Sequence, residues 1–543
     1  MRNFLTKFTK EQTVYLVLIG FTISLSILYQ ILNTAPQKWD SAAHINLSML
    51  YANKFKELRI AEIPTLSGYY PPFVHLAGSL IYLLIPILNS PLILTFLFLI
   101  FGLVYLFKLT HLLTQDKTIA LFSCLVFALT PQVFTETRLF QLDLPLTALI
   151  IASLYYLFKS NGFVSKKHTI LFFLLASFAQ LTKWYAFLYL LIPFFGQTVI
   201  MFKTETKQYA LVNVLKGLIL SVFLVVPWYA INQSSIFNFF SSVASLGELN
   251  DPQNVFSLTG VLEYFYLSFA FQTSFPFFIL ILASIVVTIA KKIPYAKTLA
   301  FSVLFPWLCF TLLKNKDVRY IMPVLPFFMA SLTLFLMSLK GSLISKILKP
   351  VLITYLGILF LFISFNQIPQ LPRNLRFIGY AYAFPTNKYQ WLNGATNELS
   401  FKAQDWQISN MFNYLVNDLD KYKTKTGKIM FVVDYPYFNS INFDSLQINK
   451  GTYYKTTAGY DIYYLDLGNG SEGMRRALYP YDYVVTAYNP GDMNLRHYDK
   501  MVQINRFMQQ QGDTYFESKA SYRLPNGEEV YLFRNKKPNL FGN

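Results

Sequence analysis

The chain is expected to be an all-α polytopic membrane protein carrying a C-terminal extracytoplasmic α/β domain, and three observations predict this. Hydrophobic residues make up 54% of the 543 residues and charged residues only 14%, and apolar runs long enough to cross a bilayer recur up to about residue 366. Beyond that point the pattern changes: 16 of the 28 acids lie there, among Tyr-rich segments of alternating polarity. The formal net charge is +18, but the bases mostly flank apolar runs. That placement fits positive-inside topology and anionic headgroups of membrane lipids, and it excludes nucleic acid as the expected partner. The division expected is a membrane domain over 1–366, with a large first outer loop over 33–90, and an extracytoplasmic domain over 367–543.

The first apolar run, Thr13–Leu32, follows Arg2, Lys7 and Lys10. It is long for a signal-peptide core, and Asn33-Thr34-Ala35 is a poor cleavage site, so it reads as an uncleaved span with its N-terminus in the cytoplasm. Phe73–Leu88 is short, starts after Pro71-Pro72 and is separated from the next run only by Asn89-Ser90-Pro91. We read it as lying along or dipping into the outer surface. The later spans are then about 91–109, 117–134, 143–158, 168–182, 185–202, 208–229, 268–290, 297–313, 319–338 and 348–366, eleven with the first. Charge counting favours this over twelve. The cytoplasmic ends collect 17 Lys and Arg against only Glu11, Asp116 and Glu205, whereas a twelfth span would put most of those basic turns outside. A multi-pass protein of the plasma (cell inner) membrane with its tail outside is the expectation. Cys124 and Cys309 both lie inside apolar runs, so neither a disulfide framework nor a metal site is indicated.

In this topology nearly all acids of the membrane half fall on the outer side: Asp40, Glu57, Glu62, Glu136, Asp143, Glu248, Asp251, Glu263 and Asp317. Asp40 stands a few residues past a span end. It is either the N-cap of a helix from Ser41 to about Leu58 or a functional carboxylate at the membrane boundary. Arg138, Lys183 and Arg319 are each next to an outer span end. One such base would snorkel, but two Arg and a Lys on the face of Asp40 read as convergent on an anionic group. Such a cluster could hold the phosphate of a lipid-linked donor while a carboxylate deprotonates an acceptor hydroxyl. His44, four residues after Asp40, shares its helical face. The apolar residues of Ser41–Leu58, mixed with Lys54, Lys56 and Arg59, suggest a helix lying in the interface. No Gly-rich nucleotide loop and no His-Glu-x-x-His occurs, so the sequence names no cofactor and leaves a divalent metal open.

These residues sit in pieces whose order resembles the GT-C glycosyltransferases of the protein O-mannosyltransferase and aminoarabinose-transferase type. The pieces are Trp39-Asp40-x-x-x-His44, Tyr69-Tyr70-Pro71-Pro72, the run from Arg138 through Asp143 to Leu146, Leu181-Thr182-Lys183, Pro227-Trp228-Tyr229, and Arg319-Tyr320 through Pro326. The resemblance covers about residues 12–366. It implies inverting transfer of a sugar from a polyprenyl-phosphate donor to an acceptor glycan, lipid or protein at the outer face. It implies Asp40 as general base and Arg138 as a contact of the donor phosphate. Lys183 and Arg319 join Arg138 as candidate phosphate ligands, and His44, Tyr70, Asp143 and Tyr320 are candidate accessory residues. Relatives often carry a second acid after the first, where this chain has Ser41.

The second outer loop, Asn232–Glu263, contains the turn signal Gly247-Glu248-Leu249-Asn250-Asp251-Pro252. In the tail, Lys428–Asp434 and Tyr481–Thr486 read as buried strands, and Trp406–Tyr422 and Asn494–Gln511 as helices. Acceptor binding and a stabilising lid are both open for this domain. Two other readings of the whole chain compete: a transporter or flippase for a lipid-linked sugar, which should show inverted repeats and mid-membrane charges, and a non-catalytic scaffold.

Overall fold

The computed structural model describes residues 8–245, 254–365, 404–421, 427–452, 454–458, 460–491 and 498–536. The boundary expected at 366/367 and the turn signal at 247–252 lie outside these. Helix α1 (Lys10–Leu32) opens with a capping box, Thr9 Oγ1 accepting from Gln12 N while the Gln12 side chain accepts from Thr9 N. The first loop carries α2 (Trp39–Lys56) and α3 (Phe73–Leu84). The membrane domain continues with α4 (Ile93–Thr114), α5 (Lys117–Ala128), α6 (Pro131–Glu136), α7 (Asp143–Lys159), α8 (Lys166–Gln180), α9 (Phe187–Lys203), α10 (Lys207–Ser245), α11 (Leu258–Leu267), α12 (Phe275–Ala290), α13 (Ala296–Thr311), α14 (Leu325–Ser338) and α15 (Leu343–Phe365).

Among the described residues, five helices are long and apolar enough to cross a membrane: Lys10–Leu32, Ser90–Thr114, Lys207–Ser241, Val318–Ser338 and Leu343–Phe365. Shorter apolar helices, including α3, α5, α9 and α13, accompany them. The span expected over 268–290 is a broken one. Leu258–Thr273 and Phe275–Ala290 meet at 117°, at Ser274, whose φ of 88° lies outside helical space. The span expected over 208–229 is the start of a longer helix, α10, which runs on to Ser245. Its extension packs back on the first loop, Tyr69 stacking on Phe239 at 3.9 Å and Asn232 Nδ2 donating to Pro64 O at 2.8 Å. Helices α7 and α14 are apolar on every side and are buried along almost their whole length. They form the centre of the domain, against which α4, α8 and α12 pack.

The tail is a five-stranded sheet of order β2-β1-β3-β5-β4, with β1 Lys428–Phe431, β2 Lys455–Thr457, β3 Tyr483–Ala487, β4 Phe516–Arg523 and β5 Glu529–Asn535. The first three strands are parallel, and β5 joins antiparallel to both β3 and β4. Helices α16 (Ile408–Lys421), α17 (Ser440–Lys450), α18 (Tyr460–Tyr464), α19 (Gly470–Leu478) and α20 (Tyr498–Tyr515) accompany the sheet, and two apolar cores form on its two faces. The expected strands and helices are present over their described residues; β2, the β4–β5 hairpin, α17, α18 and α19 are additions.

Helix α17 packs on α2. Asn46 Nδ2 donates to Ile441 O at 3.1 Å and Tyr82 OH to Asn449 Oδ1 at 2.9 Å. The first loop and the tail therefore pack directly against each other. Nine of the 18 residues of α2 are buried, packed against α3 and the tail.

Candidate active site

Helix α2 begins at Trp39, with Lys38 at the N-cap position giving no side-chain cap. Asp40 is thus in the first turn and is not the cap, which removes the capping reading. Its carboxylate lies where the helix dipole favours negative charge. Oδ2 accepts from Arg319 Nη1 at 2.9 Å, and 46% of the Asp40 side chain is accessible. Among the described residues no hydrogen bond is made to Oδ1.

Arg319 reaches Asp40 because Asp317 fixes its backbone and side chain together. Asp317 caps the 3-10 turn Val318–Val324 by accepting from Arg319 N at 2.8 Å. Its Oδ2 takes Arg319 Nε at 2.8 Å and Nη2 at 2.6 Å. Burial alone would raise the Asp317 carboxyl, but Arg319 outweighs it and holds the group below the ordinary carboxylate range. Gln141 Oε1 accepts from Arg319 Nη1 at 3.2 Å. Beside this group Lys183 Nζ pairs with Asp143 Oδ1 at 2.7 Å. Tyr185 lies 5.4 Å below the Lys183 ammonium and packs edge-on to Tyr320. Tyr320 itself is held by Tyr189, whose hydroxyl donates to its carbonyl.

Glu136 is buried, and burial reinforced by Asp143 raises its carboxyl, so it is held protonated near neutral pH. Its Oε2 and Asp143 Oδ2 are buried without a hydrogen-bond partner among the described residues. Four carboxyls, Asp40, Glu136, Asp143 and Asp317, thus share electrostatic reach with two bases, Lys183 and Arg319. The expected basic cluster is in fact rich in acid.

Behind Asp40, His44 Nδ1 meets His75 Nε2 at 3.0 Å. Burial pushes His44 well below the ordinary imidazole range, with His75, Lys183 and Arg319 adding to it, and pushes His75 down to about 3. Both rings are therefore neutral, one donating to the other. Tyr70 packs edge-on to His44 at 4.7 Å; burial and then Asp40 raise its phenol well above its ordinary value. Among the described residues no three His, Cys, Asp or Glu side chains stand close enough to share a metal ion.

No family model matches the chain, and no curated protein matches it in sequence. Solved structures do. ArnT from Cupriavidus metallidurans bound to undecaprenyl phosphate is similar over 97% of this chain and 99% of its own, at 12% identity and a TM-score of 0.59. The apo state of the same protein gives a TM-score of 0.57 over 97% and 98%, also at 12% identity. ArnT is an aminoarabinose transferase of the GT-C glycosyltransferases. This chain has the GT-C fold.

Within the GT-C fold of this chain, Asp40, His44, Tyr70, Asp143, Lys183, Arg319 and Tyr320 are brought together. Arg138 is the exception. Backbone bonds close the turn after α6, Arg138 N donating to Thr135 O at 3.1 Å, and the side chain leaves on the face toward α1 and α15. There its guanidinium stacks 4.1 Å from the Tyr29 ring and 5.0 Å from Phe134, and Nη2 donates to Ser364. Sequence reading places Glu136 and Asp317 on the outer side without giving them a role. Gln141 carries no signal beyond lying between Arg138 and Asp143. The Pro227-Trp228-Tyr229 piece adds a wall: Tyr229 OH donates to Gln180 O at 2.8 Å. Tyr229, Gln233, Ile236, Phe237 and Phe240 line a groove of about 400 Å³ along α10. Phe240 meets Trp184, the residue after Lys183, at 5.4 Å.

Proposed function

We propose that this protein is an integral-membrane glycosyltransferase. It moves a sugar from a polyprenyl-phosphate donor to an acceptor hydroxyl at the outer face of the membrane, with inversion at the anomeric carbon. The observation that carries this reading is the Asp40–Arg319 pair: a half-accessible carboxylate 2.9 Å from a guanidinium, at the first outer loop of a GT-C fold. Asp40 Oδ1 takes the proton of the acceptor hydroxyl as its oxygen attacks the anomeric carbon. The bond from that carbon to the phosphate oxygen breaks, and polyprenyl phosphate leaves. Arg319 and Lys183 meet the charge that grows on the phosphate, and their present carboxylate partners keep both cations in place between turnovers. The apolar groove along α10 suits an isoprenoid tail entering beside Lys183. ArnT, with the same fold, was captured with undecaprenyl phosphate, which supports a ligand of that chemistry here.

The reading is tested by binding. Undecaprenyl phosphate added to the protein in nanodiscs should raise its Tm in a saturable way, and Lys183→Ala and Arg319→Ala should each weaken that effect about tenfold or more, as expected for hydrogen bonds to a charged group. Equal Tm shifts with undecaprenol, which lacks the phosphate, would contradict it.

A further inference from the structure

The tail reaches back to the start of α2. In its parallel part the strand order β2-β1-β3 reverses at β1. The carboxyl ends of β1 and β3 therefore form the switch point at which open α/β sheets meet what they bind. Two loops touch there. Asp434 N donates to Pro490 O at 2.7 Å, and Asp434 bridges to Gly491. Gly491 has φ 111°, and a Cβ on it would stand 2.4 Å from Asp434 O, so a glycine is needed for the loops to close.

What this edge meets is the residue before Asp40. Asp434 Oδ1 accepts from Trp39 Nε1 at 2.9 Å. Trp39 starts α2 with φ 23°, a conformation a non-glycine side chain keeps only when its surroundings hold it. A second hold lies alongside. Asn442 Nδ2 donates to Gln37 O at 2.7 Å, Gln37 Oε1 accepts from Ser41 Oγ at 2.6 Å, and Ser41 Oγ accepts from Phe140 N at 2.7 Å. Lys38 Nζ lies 5.0 Å from the Tyr437 ring. The neighbours of Asp40 on both sides are thus fixed by the tail or by residues the tail holds, while Asp40 itself is turned to Arg319.

We infer that the C-terminal domain positions the general base: Asp434, acting through Trp39, sets the first turn of α2 so that Asp40 faces Arg319 and the incoming hydroxyl. This rests on Asp40 being the base, as under Proposed function. Asp434 and Trp39 are positioning residues and touch no substrate.

The test uses the full chain in nanodiscs with Asp434→Ala, Asp434→Asn, Trp39→Phe and the double variant Trp39→Phe/Asp434→Ala. Asp434→Ala and Trp39→Phe should each lower kcat about ten- to a hundredfold, the range expected when a catalytic group is displaced by an ångström or less. KM for donor and acceptor should not change. Asp434→Asn should recover most of the rate, because its amide oxygen still accepts the indole N–H. The double variant should be no slower than the slower single one. Normal kcat in Asp434→Ala, equal losses in Asn and Ala, or additive losses in the double variant would overturn the inference. A raised acceptor KM at unchanged kcat would also overturn it, and would make this edge an acceptor site instead. If Asp434→Ala does not fold, Trp39→Phe decides on the same readouts, since it keeps an aromatic ring, though a smaller one, and removes the N–H donor to Asp434. A wild-type protein that transfers no sugar from any polyprenyl-phosphate donor defeats both readings, whereas normal transfer with an indifferent Asp434 defeats this one alone.

Discussion

Asp40→Asn separates chemistry from architecture. The substitution keeps shape and one acceptor oxygen but removes the charge. Its structural cost is small for reasons visible around Arg319. That guanidinium retains Asp317 at 2.6 and 2.8 Å and Gln141 at 3.2 Å, so no buried cation is stranded. The lost pair is partly solvated, with 46% and 28% of the two side chains accessible, and pairs of that kind are worth about 0–1 kcal/mol. No N-cap is lost, because Lys38 holds that position. Thermal stability should therefore fall by about 4 °C or less. Asn cannot take the hydroxyl proton, and removal of a general base costs about two to four orders of magnitude in rate, or about 3–5.5 kcal/mol of barrier. Asp40→Glu keeps the carboxylate displaced by one methylene and should retain a low, measurable rate. The assay is transfer rate and Tm on the same purified samples. An Asp40→Asn protein that transfers sugar at near-normal rates would refute the assignment.

Arg138→Ala should lower thermal stability, because it removes a guanidinium stacked on Tyr29 and Phe134 and bonded to Ser364, and it should leave donor affinity near wild type. A tenfold loss of donor binding at unchanged Tm would return Arg138 to the phosphate site. Acid should loosen the first loop through His75. Its folded value of about 3 lies below the ordinary 6.5, so the stability it contributes is full above 6.5 and is lost as pH falls toward 3, at about 1.4 kcal/mol per unit for each such group. Between pH 6.5 and 5 the Tm should drop, and His75→Gln should flatten that slope; an unchanged slope would remove the neutral pair as its cause. A reporter fused after Asn543 should be active only outside the cytoplasm, and tags in the Ser160–His168 turn should be reachable only from inside; the opposite result would invert the topology.

Local pattern carried the reading wherever a single segment decides its own structure. The apolar run Thr13–Leu32 is α1, and the alternating stretches at Lys428 and Tyr481 begin strands of the tail. The first-loop acid and Arg319 were also legible as functional candidates, since charges at span ends are costly. Their pairing was not, because the two residues are 279 positions apart and no periodicity encodes a distant partner. Arg138 shows the same limit from the other side. Its place next to a span end says nothing about rotamer direction, which Tyr29 on α1 and Ser364 on α15 decide. The break at Ser274 falls at Gln272-Thr273-Ser274 and just before Pro276, a polar and proline interruption that the long apolar stretches on either side outweigh when a span is read from composition. The hold of the tail on Trp39 depends on a sheet edge assembled from residues 434 and 491, and neither position announces it.

The most direct test is turnover. Wild-type protein in nanodiscs is incubated with a panel of polyprenyl-phosphate sugars and acceptor-containing membrane extract, and free polyprenyl phosphate is measured alongside labelled acceptor. Release of free polyprenyl phosphate in step with acceptor labelling from at least one donor, abolished in Asp40→Asn, is the expected result. Intact donor throughout, with no acceptor labelled and no difference between wild type and Asp40→Asn, would contradict the account.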